Sequence, residues 1–326
     1  MNSDWNFFKN GFKRGKMSLL EGPHPLYPCS EEDMQEIRAE LGLKESTLQE
    51  DIDAILDWFQ KQPHLVEAGI EREMVERMLV ISKGSMEKTK RRIDNYYKYR
   101  GLTPEVIQNR DKVLSGSNDL WTSYMQMSIP KLYKGKRLTL VKFFDNELNN
   151  FSAEVIFRNT FMLADIRLKY DYFLSDIWIV DMKNTGFSHL LRLNPIVMQK
   201  TAQMFQEGLG VRVHAIHIIN AIPALSHVVS FLKQFFSPKI MDRLIIHDSL
   251  EDLYQHIPKK YLPEDYGGLE PSTSVFKDKY EKELRNTKTK QYLIEASKMV
   301  SNENLRPGSN INEEYLAGSF RKLDFD

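Results

Sequence analysis

The segment at 212–268 constrains the fold more than any other part of the chain, because strand-like and helix-like runs alternate along it. Val213–Ile219 is a short run rich in β-branched residues, which is typical of a parallel strand buried on both faces. A helical pattern follows it, and residues 244–247 form the next strand-like run. Parallel strands joined by a helix form a β-α-β unit, so the segment predicts an α/β fold.

The same alternation extends towards the N-terminus. Residues 138–144 and 177–182 are predicted strands, and residues 152–169 and 195–206 are predicted helices whose apolar residues fall on one side. Strands that alternate with helices favour a parallel sheet with right-handed crossover connections. We therefore predict an α/β domain with a mainly parallel sheet over residues 119–270.

The helix predicted after Val213–Ile219 has apolar side chains along one arc and polar side chains on the opposite side. The apolar set is Leu225, Val228, Val229, Leu232 and Phe236, and the polar set is Ser226, His227, Ser230, Lys233 and Gln234. Periodicity alone indicates a helix packed on a core. Ser237 and Pro238 then predict the N-cap and first residue of another helix, which carries Lys239 and Arg243.

The N-terminal part of the chain shows helical periodicity without strand-like runs. Residues 46–60 and Arg72–Ile81 are predicted amphipathic helices, and Ser85 is predicted to cap a third helix that stops at Gly101. Short connections between such helices indicate a helical bundle, which we place at residues 46–115. Residues 104–118 are interpreted as a polar connector.

The two ends of the chain have weaker patterns. Residues 1–45 are interpreted as an N-terminal extension, irregular over its first 30 residues. Residues 271–326 are predicted to contain one long charged helix, at 275–299, followed by a tail.

The length and composition of the chain limit the classes of protein to which it can belong. The chain has 326 residues, enough for about two domains, and its 45 basic residues balance its 45 acidic residues. This balance argues against a general nucleic-acid-binding protein. The single cysteine, Cys29, cannot form an internal disulfide and suits a reducing compartment. No signal peptide or transmembrane helix is evident, so we expect a cytoplasmic protein.

The chain lacks the motifs of nucleotide enzymes and hydrolases. The only Gly-x-Gly, at 208–210, follows a helix and precedes a strand, which is the reverse of a dinucleotide fingerprint. His214 and His217 are three apart on a strand, so they point to opposite faces and cannot share a metal ion. Asp181, at a strand end, is interpreted as an acceptor for the following turn. We therefore expect no catalytic site, no metal and no cofactor.

Several short motifs follow one another in a characteristic order along the chain. The first are the run PHL at 63–65, residues 94–100, and Asp181 and Met182 with the run GFSH at 186–189. They are followed by the strand end at 216–220, the amphipathic helix with Lys233, the turn at 237–240 and the run LPEDYGG at 262–268. Over roughly residues 46–270 the sequence resembles the CRAL-TRIO lipid-binding domain family, and its insect set most closely. One departure is the run MLVIS at 78–82, where the family usually has an arginine-bearing Phe-Leu-Arg stretch.

The resemblance implies that the sheet is the floor of a lipid cavity and that the amphipathic helix is its mobile lid. It places the ligand-contacting residues at Phe157, Thr160, Phe161, Ala164, Ile177, Ile179, Phe187, Leu191, Met204, Phe205, Val211, Leu225, Val228, Val229 and Leu232. Thr160 is the residue expected to bond a ligand hydroxyl or a water. A basic cleft for phosphoinositides is implied at Arg212, His214, Lys233, Lys239 and Arg243.

The function that this resemblance implies is that of a monomeric cytosolic carrier. It would bind a tocopherol, retinoid, carotenoid or related isoprenoid and transfer it between membranes, with phosphoinositide-assisted lid opening. The expected partners are the hydrophobic ligand and, transiently, a phosphoinositide-containing membrane surface, and no nucleic acid. Two alternatives stay open, a phosphatidylinositol or phospholipid exchange or signalling protein and an interaction scaffold.

Overall fold

The computed structural model describes residues 24–116, 120–144 and 148–308. The first residues of the predicted N-terminal extension, 1–23, and the end of the predicted tail, 309–326, lie outside the described residues. Four helices come first: α1 (Glu31–Glu40), α2 (Glu45–Gln60), α3 (Arg72–Ile81) and α4 (Met86–Leu102). The helix α1 was not predicted. It begins with a capping box between Ser30 and Asp33, and Ile37 is its one fully buried side chain.

The predictions of α2 and α3 are confirmed, and the Ser85 hydroxyl caps α4 by accepting a hydrogen bond from the Lys88 amide. The predicted stop of this helix at Gly101 is wrong. The helix passes through Gly101 and ends at Leu102, because Pro104 disfavours a helical conformation at the residue before it.

The predicted polar connector is also helical. It contains α5 (Pro104–Ile107) and α6 (Arg110–Ser115). The apolar side chains of Val106, Ile107 and Leu114 are buried, and this burial holds short helices that their sequence would not stabilise alone.

The sheet has five strands in the order of the chain: β1 (Tyr124–Ser128), β2 (Lys136–Phe143), β3 (Ser175–Asp181), β4 (Val213–Ile219) and β5 (Leu244–Ile246). The last four are parallel, and β1 is antiparallel to β2. The predicted α/β fold with a mainly parallel sheet is therefore confirmed. The strand β1 was missed because its sequence, YMQMS, is neither β-branched nor alternating, although all five residues are buried.

Helices connect the parallel strands. The helix α7 (Ala153–Tyr170) links β2 to β3, and α8 (Phe187–Leu190) and α9 (Pro195–Gln203) link β3 to β4. A π-helical turn, Met204–Leu209, continues α9 where one regular helix was predicted. The helices α10 (Leu225–Leu232) and α11 (Pro238–Met241) link β4 to β5.

Three helices follow β5: α12 (Leu250–His256), α13 (Thr273–Arg285) and α14 (Thr287–Ala296). The prediction of one long helix at 275–299 is wrong, because the chain breaks at Asn286. The Asn286 side chain accepts a hydrogen bond from the Lys288 amide and so caps α14.

The two faces of the sheet have different neighbours, as the alternation of side chains along a strand requires. On the face that we call the rear face, Ile177 and Ile179 belong to a buried cluster with Leu253 of α12 and Phe276 of α13. On the opposite face, which we call the lid face, Ile218 forms a buried cluster with Met182 and with Leu225 of α10.

Candidate functional site

The helix α10 lies over the lid face of the sheet. Its apolar residues Val228 and Val229 pack with Val180 and Ile216 of the strands. Leu225 is the only fully buried residue of α10, whereas Val228, Val229 and Leu232 are half-buried. The polar residues of the opposite side, Ser226, His227 and Ser230, are exposed. The helix thus has the two sides that its sequence predicts, but it is buried less completely than a core helix.

Aromatic side chains fill much of the space next to α10. The ring of Trp178, on β3, meets Phe205 edge to face with 6.0 Å between centroids. Phe205 in turn meets Phe236 at 6.3 Å, and Phe231 meets Phe235 at 4.9 Å. These edge-to-face pairs are favourable arrangements of aromatic rings.

A cavity of about 30 Å³ lies beside this aromatic layer. Four of the predicted ligand contacts, Thr160, Ala164, Phe205 and Val211, line it. Gln126 of β1 and Trp178 of β3 also line it and were not predicted. Gln126 was missed with its strand. Trp178 was missed because the neighbouring isoleucines were assigned to the cavity.

That assignment of Ile177 and Ile179 is corrected by the strand register. Trp178 pairs with Ile216, and Ile179 pairs with His217, so the two alternating sets lie on opposite faces. The isoleucines belong to the rear face, away from α10. The periodicity of a strand buried on both faces does not distinguish these two sets, because both are apolar.

Other predicted contacts lie around the cavity rather than on its wall. Phe161 and Met204 are buried in the core that α7 and the π-helical turn share with the N-terminal helices, and Phe157 stacks on Phe161 at 6.1 Å. Phe187 and Leu191 lie outside, with 50% and 73% of their surface exposed. They are not cavity walls in this structure, because the short helix α8 lies on the surface, where Phe187 contacts His227 of α10.

Three of the five predicted phosphoinositide contacts lie at the edge of the sheet where the parallel strands begin. Arg212 immediately precedes β4, His214 is its second residue, and Arg243 immediately precedes β5. Lys136 is the first residue of β2 and lies at the same edge. We call these four residues the basic edge.

Mutual repulsion is visible in the pKa values of the basic edge. Burial lowers the pKa of His214, and the nearby Lys136 and Arg243 lower it further. Burial also lowers the pKa of Arg212, a shift that Glu40 opposes and Arg243 reinforces. The Arg212 guanidinium is held in place because its Nε donates a 2.9 Å hydrogen bond to the Leu174 carbonyl.

A further guanidinium reaches this region from α4. Arg92 Nη1 donates a 3.1 Å hydrogen bond to Ser82 Oγ, and the pKa of Arg92 is lowered by burial and by Arg212. Gly210 has a positive φ of 60°, and its missing side chain leaves the space that the Arg92 guanidinium occupies. Arg92 therefore supplies a cation beside the segment at 78–82, which lacks the expected arginine.

Lys233 and Lys239, the remaining two predicted contacts, are exposed and lie between α10 and the basic edge along the chain. In the described ranges, none of Arg212, His214, Lys233, Lys239 and Arg243 forms an ion pair with a carboxylate. Asp242, which directly precedes Arg243 in the sequence, therefore pairs with none of the five in those ranges.

A histidine cluster on the rear face was not predicted. His217 Nδ1 lies 2.7 Å from His247 Nε2, and the His256 ring centroid is 5.3 Å from both of their centroids. His214 is exposed and lies where the register between β3 and β4 shifts, so its predicted place on the opposite face stays a prediction. Among the residues that the structure describes, no group of three or more histidine, cysteine or acidic side chains is arranged to hold a metal ion.

Two family models match the chain, one over the sheet with α10 and one over the N-terminal helices. The model for the CRAL/TRIO domain matches residues 131–268, and the model for the Pinta-like UBA domain matches residues 44–115. Residues 131–268 therefore form a CRAL/TRIO domain, and the family of that domain includes lipid-binding transfer proteins. The domain boundaries predicted from the sequence remain predictions. No helix in the described ranges is both long and apolar enough to cross a membrane.

Individual relatives are similar over most of their length. Alpha-tocopherol transfer protein-like of Homo sapiens is 23% identical over 250 residues, which cover 75% of this chain and 72% of that protein. Clavesin-1 of Pongo abelii is 22% identical over 260 residues, which cover 78% of this chain and 73% of that protein. The crystal structure of Sfh5 matches 76% of this chain and 92% of its own, with 10% identity and a TM-score of 0.37.

Proposed function

We propose that this protein is a cytosolic carrier that binds one tocopherol, retinoid, carotenoid or related isoprenoid and transfers it between membranes without catalysing a reaction. The observation that carries the proposal is the incomplete burial of α10 over the lid face of the sheet. A helix with a half-buried apolar side and an exposed polar side can leave the sheet for a membrane interface. Its apolar residues then stay out of water, in the bilayer.

The small volume of the cavity supports the proposal that α10 moves when a ligand enters. Sites for small hydrophobic ligands usually have volumes of about 300–1,000 Å³, and the cavity beside Trp178 has about 30 Å³. A ligand of isoprenoid size therefore has to displace the layer of Phe205 and Phe236, or α10 itself. The proposed ligand contacts are Thr160, Ala164, Phe205, Val211, Val228, Val229 and Leu232.

We further propose that the basic edge receives the headgroup of a phosphoinositide, together with Lys233, Lys239 and Arg92. Cations that lower one another's pKa lose this repulsion when an anion binds among them. The chain runs from α10 through α11 directly to Arg243. A headgroup bound there could therefore draw the end of α10 away from the sheet.

Transfer of a fluorescent retinoid or tocopherol to vesicles tests both parts of the proposal. The variant Lys239→Glu with Arg243→Glu reverses two cations, each worth about 1 kcal/mol near an anionic membrane. It should weaken binding to vesicles that contain phosphatidylinositol bisphosphate by about 2 kcal/mol or more. Its affinity for the ligand in solution should stay close to that of the unmodified protein, because the cavity is unchanged.

The matched control is Lys282→Glu with Lys288→Glu, which makes the same change in net charge at exposed positions of the C-terminal helices. This control should transfer the ligand normally. Equal transfer by all three proteins, or to vesicles with and without the phosphoinositide, would contradict the role of the basic edge. Loss of ligand affinity in solution would assign the two cations to the fold instead.

The two alternatives that the sequence left open predict different results when the lipid bound to the purified protein is identified. A phospholipid with two acyl chains bound in the purified protein would favour phospholipid exchange or signalling. Failure to bind any hydrophobic molecule would favour an interaction scaffold.

A further inference from the structure

We infer that the cavity recognises the oxygen-bearing end of a neutral lipid, with Trp178 as hydrogen-bond donor and the pair of Gln126 and Thr160 as an adaptable second partner. This inference rests on the proposed carrier function and deepens it, because it names the chemistry of the ligand's polar end. The ligand class is then a lipid with a hydroxyl or carbonyl oxygen, rather than a pure hydrocarbon or an anion.

Trp178 provides the first observation. Its ring forms part of the cavity wall, and its indole Nε1 is buried without a hydrogen-bond partner among the described residues. An indole N–H can only donate a hydrogen bond, and buried donors in proteins are nearly always paired. The partner that this donor lacks is an acceptor, and the adjoining cavity is where a ligand oxygen could supply one.

Gln126 and Thr160 provide the second observation. Both line the cavity and are almost fully buried, with 6% and 7% of their surface exposed. Thr160 Oγ1 lies 2.8 Å from Gln126 Oε1 and 2.9 Å from the Ile156 carbonyl oxygen. A hydroxyl has one hydrogen, so it can donate to only one of these two acceptors at a time.

This choice makes the pair adaptable. When the Thr160 hydroxyl donates to Gln126, the amide NH₂ of Gln126 is free to donate to a ligand. When the hydroxyl donates to Ile156, the Gln126 amide can turn over, donate to Thr160 and offer its own oxygen to a ligand. With the fixed donor of Trp178, the cavity can therefore satisfy a hydroxyl, which donates and accepts, or a carbonyl, which only accepts.

The charges around the cavity favour a neutral ligand. Arg167 and Asp176 also line it, but they bond to each other at 2.6 and 2.9 Å. Arg167 donates a further 2.8 Å hydrogen bond to Asp171, which is paired with Arg137 at 2.7 Å. Two buried arginines thus meet two buried carboxylates, and no cation is left over for an anionic lipid.

The inference can be tested with three probes that share one chain, namely 1-octadecanol, octadecane and octadecanoate. Each radiolabelled probe is partitioned between phosphatidylcholine vesicles and the full-length protein. We compare the unmodified protein with Trp178→Phe, which removes the donor and keeps an aromatic ring, and with Gln126→Met, which keeps the length of the side chain. The measured quantity is the preference for alcohol over hydrocarbon, which is the ratio of the partition coefficient of octadecanol to that of octadecane. Differences in probe solubility cancel when this ratio is compared between two proteins.

The preference should be about tenfold larger in the unmodified protein than in Trp178→Phe. Gln126→Met should lower it as well, and both variants should keep an affinity for octadecane within about threefold of the unmodified protein. Octadecanoate should bind less tightly than the alcohol. The retained hydrocarbon affinity shows that each variant is folded and still has its cavity.

Two results would overturn the inference. They are an unchanged preference in both variants and tighter binding of octadecanoate than of octadecanol. If one variant does not fold, the other variant and the comparison of alcohol with acid still decide. Failure of the unmodified protein to bind any probe would instead contradict the carrier function itself.

Discussion

The phenol of Tyr266 donates a 2.8 Å hydrogen bond to Oδ2 of Asp181, from the LPEDYGG run to the end of β3. The other carboxylate oxygen, Oδ1, accepts hydrogen bonds from the Lys183 amide at 3.0 Å and from the Asn220 side chain at 2.8 Å. Asp181 therefore serves as an acceptor for the turn after β3, as its position in the sequence indicates. It also joins the ends of β3 and β4 to a distant turn, close to where the chain enters α10.

Tyr266→Phe should lower the free energy of unfolding by about 2 kcal/mol, because a buried carboxylate loses a charge-assisted hydrogen bond. Tyr261→Phe is the matched control. Tyr261 is half-buried in the same segment, and its hydroxyl has no hydrogen bond within the described ranges. Urea unfolding of the three proteins measures the difference. Equal losses for the two variants would mean that the contact with Asp181 adds nothing to stability.

The histidine cluster on the rear face should make the fold sensitive to acid. The pKa of His217 is lowered to about 4, first by burial and then by His247, His256 and His214. An unfolded chain takes up this proton near pH 6.5, whereas the folded chain takes it up only near pH 4. The free energy of unfolding should therefore fall as the pH is lowered between these values, by up to about 3 kcal/mol.

His217→Gln should flatten this dependence, because the side chain no longer titrates. His227→Gln, on the exposed side of α10, is the control and should keep the slope of the unmodified protein. Chemical unfolding at a series of pH values between 7 and 4 measures both. A slope that survives His217→Gln would assign the acid sensitivity to other groups.

The proposed lid function of α10 predicts that its two sides respond differently to a charge. Leu232→Asp places a carboxylate on the half-buried side, where burying it without a partner costs several kcal/mol. Retention of a fluorescent hydrophobic ligand should fall sharply, while far-ultraviolet circular dichroism stays native. Ser230→Asp places the same charge on the exposed side and should retain the ligand. Equal retention by both variants would contradict the assignment of α10 as a lid.

Binding to phosphoinositide vesicles should depend on the protonation of His214. Burial and nearby cations lower its pKa in the free protein, and a bound phosphate would favour the imidazolium and raise it. The protein then takes up a proton on binding, so affinity should rise as the pH falls from about 7.5 to about 6. His214→Gln should remove this slope. A flat titration of the unmodified protein would place the headgroup elsewhere.

The sequence predicts the positions of the helices and strands better than it predicts which side of the sheet each side chain faces. Strong periodicity locates α2, α3 and β4, and the amphipathic arc of α10 correctly separates its buried and exposed sides. The strand β3 is different, because Ile177, Ile179, Trp178 and Val180 are all apolar or aromatic. Only the pairing of strands decides which set faces the lid.

Contacts between distant segments explain the other differences. Gln126 meets Thr160 across 34 residues, and His217 meets His247 across 30, so neither pair leaves a local pattern in the sequence. The same holds for Arg92, which reaches the basic edge because Gly210 leaves room for it. These are the parts of the candidate site that only the fold brings together.

Native mass spectrometry of the protein purified from its own tissue tests the central claim most directly. The account predicts one small neutral lipid per chain, of isoprenoid size and with a hydroxyl or carbonyl oxygen. That molecule should leave the protein when vesicles containing phosphatidylinositol bisphosphate are added. A chain that carries no lipid in any preparation, or one that carries a two-chain phospholipid and gives it up equally to all vesicles, would contradict the account.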